Sequence, residues 1–128
     1  MLKKSLSITF ITIFLVSTSA NAQSEAIITK NGKTYTINTT SICNSKGYRS
    51  TTPLKVSITK NVIDKIEALP NKETPGFFAK IIKELFPKYE GVKITETEKI
   101  DVISGATLSS KAVKENIEAA VEYYKKNK

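Results

Sequence analysis

The residues best placed to do chemistry in this chain are Asp101, Ser104, Gly105, Ala106 and Thr107, in the run Asp101-Val102-Ile103-Ser104-Gly105-Ala106-Thr107 that leads into the last helical segment. Gly105 permits a tight turn with close backbone approach, and Ser104 and Thr107 place hydroxyls beside the free N–H groups of a helix start. Backbone donors and the positive end of the helix dipole make such a place suitable for a phosphate, although the same residues serve equally as plain helix caps. The residues that are missing narrow the chemistry further. With no His there is no Ser-His or Cys-His nucleophile pair and no His-ligated metal, and the one Cys excludes an internal disulfide, a thiolate zinc site and an iron–sulfur cluster. No catalytic and no metal-ligating residue is assigned. Redox or group-transfer chemistry would have to come from an organic cofactor or a partner.

The elements that must hold this segment read as strands first and helices later. Ala26–Thr29 and Lys33–Asn38 flank Asn31-Gly32, a pair that suits a type I′ hairpin turn. Leu54–Ile58 alternates apolar with polar, and Val62–Leu69 is rich in β-branched residues, so a four-strand antiparallel meander is expected. Thr74-Pro75 reads as an N-cap followed by Pro at the first helical position. Phe77, Phe78, Ile81, Ile82, Leu85 and Phe86 then repeat at helical spacing until Pro87 ends the helix, with the aromatics expected in the core. Short strands are expected over 92–95 and 99–103. From Leu108 a helix follows, with Leu108, Ala112, Val113, Ile117, Ala120, Val121 and Tyr124 on one stripe and lysines at its C-terminal end. The fold class is α+β: an antiparallel β-sheet with two packed α-helices in a single domain.

Residues 1–22 stand apart. Lys3 and Lys4 precede an apolar core at 6–16 and a small-residue Ala20-Asn21-Ala22 site, the layout of a secretory signal peptide. The apolar run is shorter than the roughly 20 residues of a membrane-spanning helix. Cleavage before Gln23 leaves a domain at 23–128 and lowers the formal charge from +8 to +6 as Lys3 and Lys4 depart. The remaining lysines are scattered without Arg-aromatic clusters, which argues against nucleic acid as a partner. In an oxidising compartment the unpaired Cys43 is either buried or a site for intermolecular pairing, and burial in a strand is the commoner case.

Asp-x-x-Ser-Gly-Ala-Thr resembles the flavinylation motif of the FMN-binding domain family, found in the sodium-pumping NADH:quinone reductase, in the Rnf electron-transport complex and in small exported flavoproteins. Gly47-Tyr48-Arg49 with Leu54-Lys55-Val56 is similar to the family's glycine-aromatic segment and following strand, and Asn71-Lys72-Glu73-Thr74-Pro75-Gly76 to its Glu-Thr-Pro-Gly loop. The resemblance implies FMN attached covalently through a phosphodiester to Thr107, installed by a flavin transferase that uses FAD as donor. It also implies that Ser104, Gly105, Ala106 and Asp101 shape the attachment turn, and that Tyr48, Glu73, Thr74, Pro75 and Gly76 bind the cofactor. Two departures are visible: Phe77 and Phe78 follow Gly76 where the family has a further glycine, and Ser50-Thr51-Thr52 lengthens the link before Pro53.

The expected function is that of an electron carrier, periplasmic or otherwise extracytoplasmic and membrane-associated through its partners, between a membrane electron donor and an exported reductase or acceptor. It is expected to be an electron-transfer protein more than a stand-alone catalyst. The competing reading is a secreted binding or structural module whose Ser-Gly-Ala-Thr turn is only a helix cap.

Overall fold

A computed structural model of the chain describes residues 26–103 and 105–128. The expected signal peptide with its junction at Gln23, and Ser104, lie outside the described residues. Four strands, β1 (Ile28–Asn31), β2 (Thr34–Asn38), β3 (Leu54–Thr59) and β4 (Val62–Ala68), form an antiparallel meander in sequence order. Three helices follow: α1 (Pro75–Glu84), the one-turn α2 (Phe86–Tyr89) and α3 (Thr107–Asn127), with a 3-10 turn at Thr97–Lys99. The α+β expectation holds.

The sheet has one covered and one wet face, as an antiparallel meander allows. Along β3, Leu54, Val56 and Ile58 are buried and alternate with half-buried Lys55, Ser57 and Thr59. On β4 a bulge at the Ser57/Ile58 register shift brings Ile63 and Ile66, three residues apart, onto the same buried side. The wet face carries cross-strand pairs instead, with Thr34 Oγ1 at 2.8 Å from Thr59 Oγ1 and Lys55 opposite Glu67. Helix α3 lies over β2 and β3, α2 packs on β4, and α1 touches both helices. Val113, Ile117, Ala120, Val121 and Tyr124 close the core with Phe78, Ile81, Leu85 and Tyr89.

Several expectations are corrected. The first hairpin turns at Gly32-Lys33, since Asn31 pairs with Thr34, and only Gly32 has positive φ (67°), a type II′ pattern. The type I′ pattern belongs to the β3–β4 turn, where Lys60 and Asn61 have φ of 53° and 65°. Pro87 does not end the helical region; it sits in the first turn of α2, where a missing N–H costs nothing. Phe77, expected in the core, is exposed, as are Ile82 and Leu108 of the two helical stripes. Cys43 is half-buried in the loop after β2, not in a strand.

Residues 92–95 and 99–103 are not strands. Gly91, at φ 86°, turns the chain along the edge of β4, where the Gly91 N–H donates to Ile63 O and Ile63 N–H to Val92 O. Pairing ends at the single Lys93–Val62 bridge, because the Glu96 N–H turns back onto Lys93 O and the Thr97 hydroxyl onto Ile94 O. Beyond it, the carbonyls of Glu98 and Ile100 accept from Lys114 Nζ of α3 at 3.0 and 2.6 Å. A helix lysine takes the place of a neighbouring strand.

Candidate functional site

The loop after β2, the loop before α1 and the start of α3 are far apart in sequence and meet at one end of the molecule. They are joined by Glu73. The residue is only 5% exposed, and its carboxylate accepts from the backbone N–H of Tyr48 (3.2 Å), Arg49 (2.8 Å) and Ser50 (2.6 Å), and from the Ser109 hydroxyl at 2.5 Å. Burial, the largest single influence, pushes the Glu73 pKa up. Hydrogen bonds from Ser109, Arg49, Ser50 and Tyr48 outweigh it and hold the carboxyl below its ordinary 4.5. An ionised carboxylate fits here because backbone donors replace its water.

Gly47 allows this meeting. A Cβ there would lie 2.8 Å from Ser109 Oγ, 3.0 Å from Ser109 Cα and 3.1 Å from Glu73 Oε1, too close for any side chain without displacement. The Tyr48 N–H is also 3.1 Å from Ser109 Oγ, so the loop is fastened to the first turn of α3. Ser45 donates to Glu115 one helical turn and a half further along α3. Deeper, the Thr39 hydroxyl donates to Asn116 Oδ1 at 2.6 Å, and Asn116 Nδ2 reaches Thr52 Oγ1 and Ala112 O. This fully buried network pins both ends of the loop from 39 to 53 to the helix.

Held in this way, the Tyr48 side chain stands 66% exposed, with its ring centroid 6.4 Å from that of Phe77, itself 37% exposed. Tyr48, Thr74 and Phe77 line an open, mainly apolar concavity of about 400 Å³. Phe77, one of the two residues replacing the expected glycine region, thus forms a wall. Thr74 occupies the N-cap position of α1 but makes no side-chain cap bond, and Thr74, Pro75 and Gly76 are all exposed.

Thr107 is the first residue of α3 and is exposed, following buried Ala106 and Gly105 at φ 85°. The turn is closed behind it by the Ala106 N–H on Ile103 O and the Ile103 N–H on Ser110 Oγ. No side chain among the described residues caps the helix start. Lys80 of α1 comes close: its Nζ lies 3.7 Å from where a Gly105 Cβ would be. Lys80 is one turn along α1 from Phe77, so the exposed threonine, a cation and the aromatic concavity follow one another along the surface. Asp101 is exposed beside this turn, and Ser109 is buried and engaged by Glu73. Among the described residues no His/Cys/Asp/Glu cluster could hold a metal, and no helix is long and apolar enough to cross a membrane.

Sequence reasoning missed Lys80, Phe77, Ser109 and Asn116. For Asn116 a signal existed, a polar residue within the apolar stripe of α3; for Lys80 there was none.

Fold and site together define a small α+β module with an open, mainly apolar concavity between the loop after β2 and the start of α1. The model of the FMN-binding domain family matches residues 47–122, more than half of the chain, and the chain belongs to that family. The match begins at Gly47 and takes in the Glu73 loop and most of α3, leaving the β1–β2 hairpin outside. No curated protein and no solved structure matches the chain. The observed surfaces suit FMN: an apolar concavity for a flat ring system and, beside Gly105, a cation for a phosphate.

Proposed function

We propose that this chain is an exported electron carrier whose FMN is joined through its phosphate to the hydroxyl of Thr107. The observation that carries the reading is the exposed Thr107 in the first turn of α3, where no described side chain caps the helix, with Lys80 beside the positive-φ Gly105. Attachment would form the Thr107 Oγ1–phosphorus bond, break the pyrophosphate bond of FAD, release AMP and leave the hydroxyl proton to a base. The chain has no His to act as that base, so a separate flavin transferase supplies it. Export by the leader at 1–22 would set the domain between a membrane donor and an exported acceptor.

This chain's own residues bind and orient. Gly105 keeps bulk away from Thr107, Lys80 offsets anionic charge, Tyr48 and Phe77 flank the ring site, and Glu73 fixes the backbone that carries Tyr48. When bound, FMN supplies the redox chemistry, taking up two electrons and releasing them singly. With a concavity this open and no assigned catalytic residue, exchange with partners suits the site better than turnover of a substrate.

Expression in a host with a flavin transferase tests the reading by intact mass and peptide mapping. The exported protein should begin at Gln23 and carry one FMN on the peptide containing Thr107. Thr107→Val, which keeps the shape but removes the oxygen, should fold and hold no flavin after denaturation, while Thr107→Ser keeps some. A Thr107→Val protein that stays covalently yellow, or FMN mapped to Ser104, would overturn the assignment.

A further inference from the structure

The opposite end of α3 carries a second organised surface. A cleft of about 440 Å³ is lined by Lys60, Lys93, Lys125 and Lys128 with Asn61 and Thr95. An adjoining one of about 350 Å³ shares Lys60, Asn61 and Lys128 and adds Lys30 and Lys33. Among the described residues no Asp or Glu lines either cleft. Elsewhere among the described residues, Lys99 and Lys126 pair with Glu96 and Glu122. Lys93 does feel Glu96, but that carboxylate is already engaged by Lys99.

Two of these ammonium groups, those of Lys30 and Lys128, are held by rings and an amide instead of carboxylates. Lys30 Nζ lies 5.4 Å from the Tyr35 ring centroid and Lys128 Nζ 5.3 Å from that of Tyr124, while the two rings meet edge to face at 5.3 Å. Asn61 Oδ1 accepts from the Tyr124 hydroxyl (2.8 Å) and from Lys128 Nζ (3.2 Å). The tight β3–β4 turn presents Lys60 at φ 53°, where Asn or Gly is the usual residue. Positive charge is thus gathered from two hairpin turns, the segment after α2 and the helix end, with no described carboxylate lining the clefts.

We propose that this lysine-lined end docks the domain on an anionic phospholipid membrane. Its composition favours lipid over a protein partner: protein interfaces are depleted in Lys and anchored by Arg and aromatic residues, whereas clusters of four to eight basic residues are the mark of anionic headgroup binding. Here the six cations are all lysines, and the chain's single Arg, Arg49, lies in the loop at the other end. The 21-residue α3 separates this surface from Thr107 by about 30 Å, so a domain seated on lipid by its lysine end holds the Thr107 end outward. That orientation rests on the flavin reading; lipid binding itself does not.

Co-sedimentation of the exported protein tests the proposal, with vesicles of phosphatidylcholine alone or containing about a third phosphatidylglycerol. Binding is expected only to the anionic vesicles, reversed by salt, and independent of flavin in Thr107→Val. The triple variant Lys60→Glu, Lys125→Glu and Lys128→Glu should lose about a hundredfold in partitioning, and its Lys→Gln counterpart somewhat less. A control of equal charge change, Lys72→Glu, Lys83→Glu and Lys111→Glu, should stay within about twofold, with circular dichroism confirming that all variants fold. Equal losses in both triples, equal binding to neutral vesicles, or capture of an acidic protein with no vesicle binding would each overturn the proposal.

Discussion

The two ends of α3 handle charge in opposite ways. At its N-terminal end one buried carboxylate, Glu73, gathers three backbone N–H groups and a hydroxyl and fixes a loop whose aromatic residue faces outward. At its C-terminal end six lysines stand exposed, two of them, Lys30 and Lys128, steadied by the Tyr35–Tyr124 pair and Asn61. At the first, the centre of the loop converges on one group while the Thr39–Asn116–Thr52 network pins its ends, so one substitution can release Tyr48 and leave the loop's ends in place. Charge at the second is spread, so any one lysine is dispensable. The contrast matches the two roles: a cofactor site needs fixed geometry, while a surface that meets a membrane needs only summed charge.

The sharpest way to break this comparison is Glu73→Ala. Losing the carboxylate leaves the N–H groups of Tyr48, Arg49 and Ser50 and the Ser109 hydroxyl without their acceptor, and should cost about 3 kcal/mol in urea unfolding. A loss below about 0.5 kcal/mol would mean that the loop does not depend on Glu73.

Next comes Gly47→Ala, which forces a methyl group against Ser109 and Glu73 and should destabilise by about 1–2 kcal/mol. It should also displace Tyr48, seen as a shift in the near-ultraviolet tyrosine signal. An unaltered protein would show that the loop and helix can separate freely.

pH separates the two ends further. Because the folded pKa of Glu73 lies below its unfolded 4.5, the unfolded chain binds more protons in that window. The contribution of Glu73 is therefore complete above pH 4.5 and is lost as pH falls through the lower folded value. Unfolding free energy measured from neutral pH downward should fall more steeply in the parent protein than in Glu73→Gln.

The smallest effect is expected at Thr74→Ala. Its N-cap position would suggest about 1 kcal/mol, but the side chain makes no cap bond and is exposed, so the change should stay within about 0.5 kcal/mol. A tyrosine or flavin signal that changes without loss of stability would sharpen the assignment of Thr74 to the concavity.

Much of this organisation was legible along the chain. The alternation of Leu54, Val56 and Ile58, the helical stripe from Ala112 to Tyr124 and the Ser-Gly-Ala-Thr turn before α3 are patterns of neighbouring residues, and period and turn chemistry act locally. The family follows from the same local segments, Gly47-Tyr48-Arg49, Glu73 to Gly76 and Asp101 to Thr107. Tertiary structure alone decided what those segments do to one another. Glu73 is 36 residues from Ser109, and Asn116 is 77 residues from Thr39, so neither bond leaves a periodic trace in the sequence. The same holds for residues 92–103, whose β-branched composition suits a strand but whose carbonyls beyond Val92 turn back on the local segment, as at Lys93 and Ile94, or bond to Lys114, as at Glu98 and Ile100. It holds also for six lysines that look scattered along the chain and become one surface only when two hairpin turns, a loop and a helix end meet, because charge adds up in space and not along the backbone.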